Sequence, residues 1–573
     1  MYDLYPKDEG VLIVCEEGGL ARTSDLIKVL GLIHRLELRE THRLITNIAG
    51  GLRVNSNPLC FKYYRVRSLF ITGIDTQIAY FMKQISLLLP FGVNAMKKIL
   101  VLLVWYIYSS SAVFAKGFDD EFERFKKTAS AKDMYTFLYA LPKGADLHNH
   151  STGSNRAEWW YEESIKQAKN GYVYYTKTTI NNCKGYGTNE FSRTPYLLLF
   201  VNIQEFEYKK LSDCEQGEYS RLQDLSAEQK QAWLNSIRLD KAHEGRNEFF
   251  QTHWTRLNTL LANPFMQANL IVKNMRAFGQ EGLTYLETDA GVKGYLYPDG
   301  SDYAPEDVYQ IYVERFAQQD ALDTGVTVRL QYALLRFTEH AEDVLQWVYE
   351  FVATHKALFV AVDMVGREDN DKGHPLRFLP TLRALRHRHH GVNLSIHAGE
   401  SDEPNRHIRD TLLLGASRIG HGVNLTGDGD TLLLMRYNQY LIEVNLISNL
   451  LLEYVDDYRQ HPFPEYLRLG IPVALSTDDR GMWDSNMTDE YFTAVSNFNL
   501  SWQEIVTIGA NSLRHSFLDD KTKTRLLNNY YQRIAAFETA FQNKKMAALT
   551  DVKPVSYSFA CKQFKLCDFF VAE

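Results

Sequence analysis

Four short motifs carry residue types that can perform metal-assisted hydrolysis. They are Asp146-Leu147-His148-Asn149-His150, Ser395-Ile396-His397-Ala398-Gly399-Glu400, Arg418-Ile419-Gly420-His421-Gly422 and Leu475-Ser476-Thr477-Asp478-Asp479. Residues i and i+2 of a strand point to one face, so His148 and His150 can share an ion. Alone, that pair reads equally well as two surface histidines; four such motifs at the ends of predicted strands do not. Three neutral imidazoles and a carboxylate suit one Zn²⁺ per chain. A water in the remaining position loses a proton near neutral pH and becomes a nucleophile. Glu400, three residues beyond His397, can act as general acid without binding the ion. His421 can position the nucleophile, and Asp478 can take its proton.

These side chains need a scaffold that ends several strands at one place. From Leu141 onward, short β-rich runs alternate with helical stretches. Strands are expected over Lys143–His150, Gly282–Thr288, Val326–Leu335, Leu358–Gly366, Val392–Ala398, Ser417–Gly422, Leu441–Leu446 and Pro472–Asp478. Helix-like segments lie at Pro305–Ala321, Glu339–His355, Pro375–His390 and Asn405–Gly415. Eight strands with intervening helices predict an α/β (β/α)₈ TIM barrel spanning residues 116–550, with its chemistry at the C-terminal strand ends. The interval 151–280 is too long for an ordinary barrel connection. It reads as a large, mainly helical insertion at the barrel mouth, with helices near Ala227–Leu239 and Glu248–Leu261. Cys183 and Cys214 fall inside it, either as a disulfide or as two thiols. Cys561 and Cys567 lie in a C-terminal tail, residues 551–573, to which no role is assigned.

The 573 residues are 45% hydrophobic and 23% charged, enough to fill a large core. A net charge of −7 gives no basic field for a phosphate backbone, so no nucleic-acid partner is expected. The basic helix end Arg383–His390 and the basic-aromatic run Phe61–Arg67 read as solvated faces. Met96-Lys97-Lys98, the apolar run Ile99–Tyr108 and the compact Val113 and Ala115 form the pattern of a secretory signal peptide over residues 96–115. The apolar core is too short to span a bilayer. Met96 is then the expected start, residues 1–95 an upstream extension translated in error, and Lys116 the first residue of an exported, periplasmic or secreted protein with no membrane contact after cleavage. The alternative is a genuine extension with an internal anchor.

The order of these motifs, with Asp363-Met364-Val365-Gly366 ahead of the second and Glu443-Val444-Asn445-Leu446-Ile447-Ser448-Asn449 ahead of the last, resembles the adenosine deaminase family. The likeness covers about residues 143–520 and is closest to the secreted bacterial and growth-factor-related branch. The resemblance implies zinc ligands His148, His150, His397 and Asp478, Glu400 protonating purine N1, and His421 holding the attacking hydroxide. It also implies Asp479 bonding another ring nitrogen and the Gly366 backbone contacting the base edge. Adenosine, and 2′-deoxyadenosine, would become inosine and its deoxy form. Two positions depart from the pattern. Thr152 stands where many members carry a ribose-contacting Asp, so a hydroxyl replaces a charged acceptor. Asp289 stands where an Arg often follows the second strand, a change expected to affect packing at the mouth and not the metal set.

Rival readings remain. Adenine or AMP can replace the nucleoside as substrate, although no basic cluster beside the strand ends clamps a phosphate; Arg406 and Arg409 are expected on the helix after the fifth strand. A non-catalytic exported nucleoside-binding or signalling protein would tolerate loss of a ligand or of Glu400, and none is missing. A dinuclear amidohydrolase usually needs a bridging Lys on the fourth strand, and Leu358–Gly366 has none. The deaminases built on Pro-Cys-x-x-Cys are excluded, since that motif does not occur.

Overall fold

The computed structural model describes residues 118–183, 197–241, 243–368 and 371–569. The predicted signal peptide, the upstream residues 1–95 with the Phe61–Arg67 run, and Lys116 lie outside them. Among the described residues eleven strands follow one another: β1 (Gly144–Asp146), β2 (Tyr174–Lys177), β3 (Asn202–Gln204), β4 (Tyr219–Arg221), β5 (Leu283–Asp289), β6 (Thr327–Leu335), β7 (Phe359–Val365), β8 (Asn393–Ala398), β9 (Arg418–His421), β10 (Leu441–Val444) and β11 (Val473–Leu475). Eight of them form one parallel sheet in the order β1-β5-β6-β7-β8-β9-β10-β11. The seam closes just beyond the strands, where Asn149 and Asp478 pair in parallel. There the Asp478 N–H donates to the His148 carbonyl (3.0 Å) and the His150 N–H to the Asp478 carbonyl (3.3 Å). The predicted eight-stranded barrel is present, and each strand falls within its expected interval or one residue of it.

Helices between the strands follow from apolar spacing. Ala341–Thr354 buries Leu345, Val348, Tyr349 and Val352, a repeat of three and four residues that lays one stripe on the barrel. Trp502–Arg514 starts at a capping box in which Ser501 accepts from the Glu504 N–H. The insertion is built around helices Ala157–Lys166 and Ala227–Ile237, and it also carries a small antiparallel sheet in the order β3-β2-β4 that the sequence reading did not anticipate. The expected helix over Glu248–Leu261 is broken. A wide turn spans Phe249–His253, where the His253 ring bonds the Glu248 carbonyl at 2.9 Å, and a 3₁₀ segment follows over Asn258–Ala262. The interval closes with helix Pro264–Gln280, capped by Asn263. This helix joins two cores: Ile271, Met275 and Phe278 pack with the barrel, Met266 and Leu270 with the insertion. Cys183–Cys214 and Cys561–Cys567 are disulfides. No helix among the described residues is long and apolar enough to cross a membrane.

The barrel interior is not wholly apolar. Beneath the strand ends, Arg418 reaches Glu287 (2.7 Å) and Glu443 (2.6 Å), with all three side chains sealed from solvent. Its guanidinium stacks on Phe517 at 3.8 Å, and Glu287 also accepts from the Tyr285 hydroxyl and the Phe517 N–H. Removing the cation strands two buried carboxylates. Arg418→Ala is expected to destabilise the fold by about 3–5 kcal/mol, the usual cost of breaking a buried ion pair, read as a lowered Tm. An unchanged Tm would show the charges to be redundant.

Candidate active site

The HxH strand, β8 and β11 bring His148, His150, His397 and Asp478 together, with one potential ligand atom from each within 4.8 Å of the others. His150 Nε2 and His397 Nε2 face each other at 3.3 Å. Asp478 Oδ1 lies 3.1 Å from His150 Nε2 and 3.7 Å from His148 Nε2. His148 Nε2 and Asp478 Oδ1 are both buried and make no hydrogen bond in acceptable geometry. Buried polar atoms left without partners are costly, and a shared cation satisfies them together. The four residues therefore fit a metal ion.

Each imidazole is held from behind by a carboxylate on a different strand. His148 Nδ1 meets Glu443 (2.9 Å), His150 Nδ1 meets Asp289 (3.0 Å) and His397 Nδ1 meets Asp363 (3.1 Å). Such partners fix ring orientation and leave every Nε2 free for the ion. The sequence reading assigned none of these three carboxylates a role. For Asp289 it expected an effect on mouth packing alone; the structure corrects this, because Asp289 contacts a candidate ligand directly.

Burial opposes charge on His148 and His150, yet the carboxylates around them hold both rings well above the ordinary histidine range. His397 is pushed well below it by burial and by the two neighbouring imidazoles. Burial also opposes charge on Asp478, but His148 and His150 keep its carboxyl well below the usual range. Surroundings that favour protons on two rings offer the same anionic cradle to a divalent cation.

Glu400 and His421 sit beside this group, with His421 Nε2 3.7 Å from Glu400 Oε1. Burial, reinforced by the charges of Asp478 and Glu368, raises the Glu400 carboxyl well above its ordinary value, which keeps a proton available. Glu368, absent from the sequence-based candidates, accepts from the Gly399 and Glu400 N–H groups at 3.0 Å each and from His407 at 2.8 Å, anchoring the turn that carries Glu400. Asp479 is raised by burial and by Asp478, so it too can donate. Its carboxyl presses against Gly153, where an added Cβ would lie 1.5 Å from Oδ1, so only glycine fits. Gly366 follows β7 at φ +98°, a conformation that favours glycine, and is half-buried, as are Thr152 and His150. These three mark the open side of the site. His421 and Asp478 themselves hold positive φ, 64° and 54°, a strain of about 1–3 kcal/mol each that the seam and the neighbouring strands impose.

The insertion borders this opening. Its Arg246 forms a two-pronged pair with Asp402 after β8, at 3.0 Å per bond, and its Phe249 packs on Trp483 after β11. The Leu239 N–H donates to the Met482 carbonyl at 2.9 Å.

The eight-stranded parallel barrel thus gathers three histidines and an aspartate at its C-terminal strand ends, a group that can hold a metal ion. Comparison with known proteins gives the family. The adenosine deaminase family model matches residues 218–533. Adenosine deaminase 2 of Dictyostelium discoideum is 30% identical over 424 residues, 70% of this chain and 73% of that protein. Adenosine deaminase of Aedes albopictus is 24% identical over 432 residues, covering 71% and 77%. The chain belongs to the adenosine deaminase family and is a hydrolase acting on C–N bonds. Solved structures with the same fold include an adenine deaminase from Arthrobacter aurescens (TM-score 0.51, 20% identity, 69% of this chain and 99% of that one). A zinc-bound amidohydrolase from Burkholderia ambifaria gives 0.52 at 16% identity, covering 71% and 94%. The matched family span begins after His148 and His150; folding brings that pair to the other ligands.

The Asp289 contact generates a test. Asp289→Ala frees the His150 ring, and metal affinity is expected to fall about 10–100-fold, the usual effect of losing such a partner. Chelator competition measures it; unchanged affinity would return Asp289 to a packing role.

Proposed function

We propose that the protein is a zinc-dependent adenosine deaminase, with one ion per chain, converting adenosine and 2′-deoxyadenosine to the inosine products and ammonia. The observation that carries this reading is the convergence of His148, His150, His397 and Asp478 beside the buried Glu400. A bound zinc ion lowers the pKa of water to near neutrality and so supplies the nucleophile.

The chain's own residues do the rest. Asp478 accepts the proton that water releases, and His421 holds the attacking oxygen toward C6 of the purine. Glu400 donates its proton to N1, so that negative charge does not build on the ring as the C6–O bond forms. Asp479 donates to a second ring nitrogen, and the Gly366 backbone at the open side meets the base edge. Asp478 passes the proton it took from water to the C6 amine, the C–N bond breaks to release ammonia, and the C6 hydroxyl returns its proton to Glu400 as the carbonyl forms. Thr152, at the same opening, contacts the ribose in place of a charged acceptor, so a raised KM and not a lowered kcat is the expected signature of its weaker grip.

Two measurements test this reading. A panel of adenosine, 2′-deoxyadenosine, adenine and AMP, run on the protein with its metal content determined, should give the highest kcat/KM with the nucleosides. A clear preference for AMP or adenine would move the substrate assignment and keep the hydrolytic chemistry. Glu400→Gln should retain zinc while kcat falls by about 10²–10⁴, the usual worth of acid–base catalysis. Loss of zinc from that variant would make Glu400 a ligand and contradict its role as acid.

We also propose export through the signal-like segment at residues 96–115. Two disulfides favour an oxidising compartment. The exported protein should have the mass of a chain beginning at Lys116; a product retaining residues 1–95 would contradict this.

A further inference from the structure

His421 has two ring nitrogens, and which of them carries the proton decides whether it can donate to the attacking oxygen or must accept from it. The surrounding hydrogen bonds answer this from one unambiguous donor. The Phe463 backbone N–H donates to His461 Nδ1 at 3.1 Å, so that nitrogen is an acceptor. Burial pushes His461 down to about 3, which keeps the ring neutral with its single proton on Nε2. His461 Nε2 lies 3.0 Å from Asn449 Oδ1, an oxygen that accepts this proton. The Asn449 amide is thereby locked, because turning it over would set its NH₂ against the His461 N–H. Its Nδ2 is left to donate to His421 Nδ1 at 2.9 Å, with Asn445 Nδ2 behind it at 3.3 Å. His461, Asn449 and His421 are all buried. His421 Nε2 makes no hydrogen bond within the protein and lies on the Glu400 side of its ring.

We infer that Asn449 and His461 are positioning residues that fix His421 as its Nε2–H tautomer, so that it donates a hydrogen bond to the attacking oxygen and does not act as a base. This rests on the site reading above and deepens it, since removal of the water's proton then falls to Asp478 alone. Both residues are buried and reach the site through the hydrogen bonds to His421.

The test combines a direct view of the proton with isosteric variants of the full chain. Neutron diffraction from the zinc-loaded protein should show deuterium on His421 Nε2 and none on Nδ1; deuterium on Nδ1 overturns the inference. Asn449→Asp keeps the acceptor toward His461 but offers His421 Nδ1 an acceptor in place of a donor, which favours the opposite tautomer. Zinc content and KM should hold while kcat falls by about 10²–10⁴, the order seen when a catalytic imidazole is held in the wrong tautomer. His461→Leu, which unlocks the Asn449 amide, should also lose kcat, and His461→Gln, which can still donate to Asn449, should restore most of it. Full kcat in Asn449→Asp, or equal loss of zinc and kcat in both His461 variants, would contradict the inference. If the wild-type protein deaminates none of the purines, the proposed reaction fails, and the neutron result still decides the tautomer.

Discussion

The parallel pairing that closes the barrel between the residues after β1 and those after β11 is the constraint on which the site depends. The Asp478 N–H bonds the His148 carbonyl and the His150 N–H bonds the Asp478 carbonyl. One ladder step therefore sets the two histidines of the HxH strand and the aspartate of the last strand side by side. Alternation along the strand turns both imidazoles to one face. The positive φ at Asp478 lets the chain leave β11 while its carboxyl stays turned toward the seam. A slip of one residue in this pairing would turn the histidine pair away and dissolve the ligand set.

Beneath the seam lies a buried electrostatic chain running from Glu287 through Arg418 and Glu443 to His148. Burial would raise the Glu443 carboxyl, but Arg418 keeps it ionised, and an ionised Glu443 is what orients His148. Asp289 and Asp363 do the same for the other two imidazoles from separate strands. Burying so many charges is unfavourable unless every member is paired. The barrel core is thus committed to its active-site face, and substitutions far from the opening can reach the candidate ligands.

Much of this architecture is legible in the chain because it is local. The barrel strands are short apolar runs bounded by turns, and the site residues lie in short local motifs, His148 and His150 in HxH and His397 and Glu400 in HAGE. What escapes is whatever arises between distant segments. The β3-β2-β4 sheet joins Tyr174 to Gln204 and Tyr175 to Arg221, pairings with no local periodicity. Asp289, Asp363 and Glu443 look like ordinary strand-end acids until folding sets them behind the rings. Asn449 and His461 are twelve residues apart, and only folding sets the His461 ring against the Asn449 amide. The break at Phe249–His253 is hidden as well, because its cause is a histidine side chain entering the backbone ladder. The departure at Asp289 is the instructive case: the residue was noticed in the sequence, and only its contact with His150 gives it meaning.

The most direct test of the account is the anomalous scattering of zinc in crystals of the full chain grown with one equivalent of the metal. The account predicts a single peak about 2.0–2.2 Å from Nε2 of His148, His150 and His397 and from a carboxylate oxygen of Asp478, with Glu400 outside the coordination sphere. Two peaks, a peak elsewhere, or Glu400 bound to the metal would contradict it.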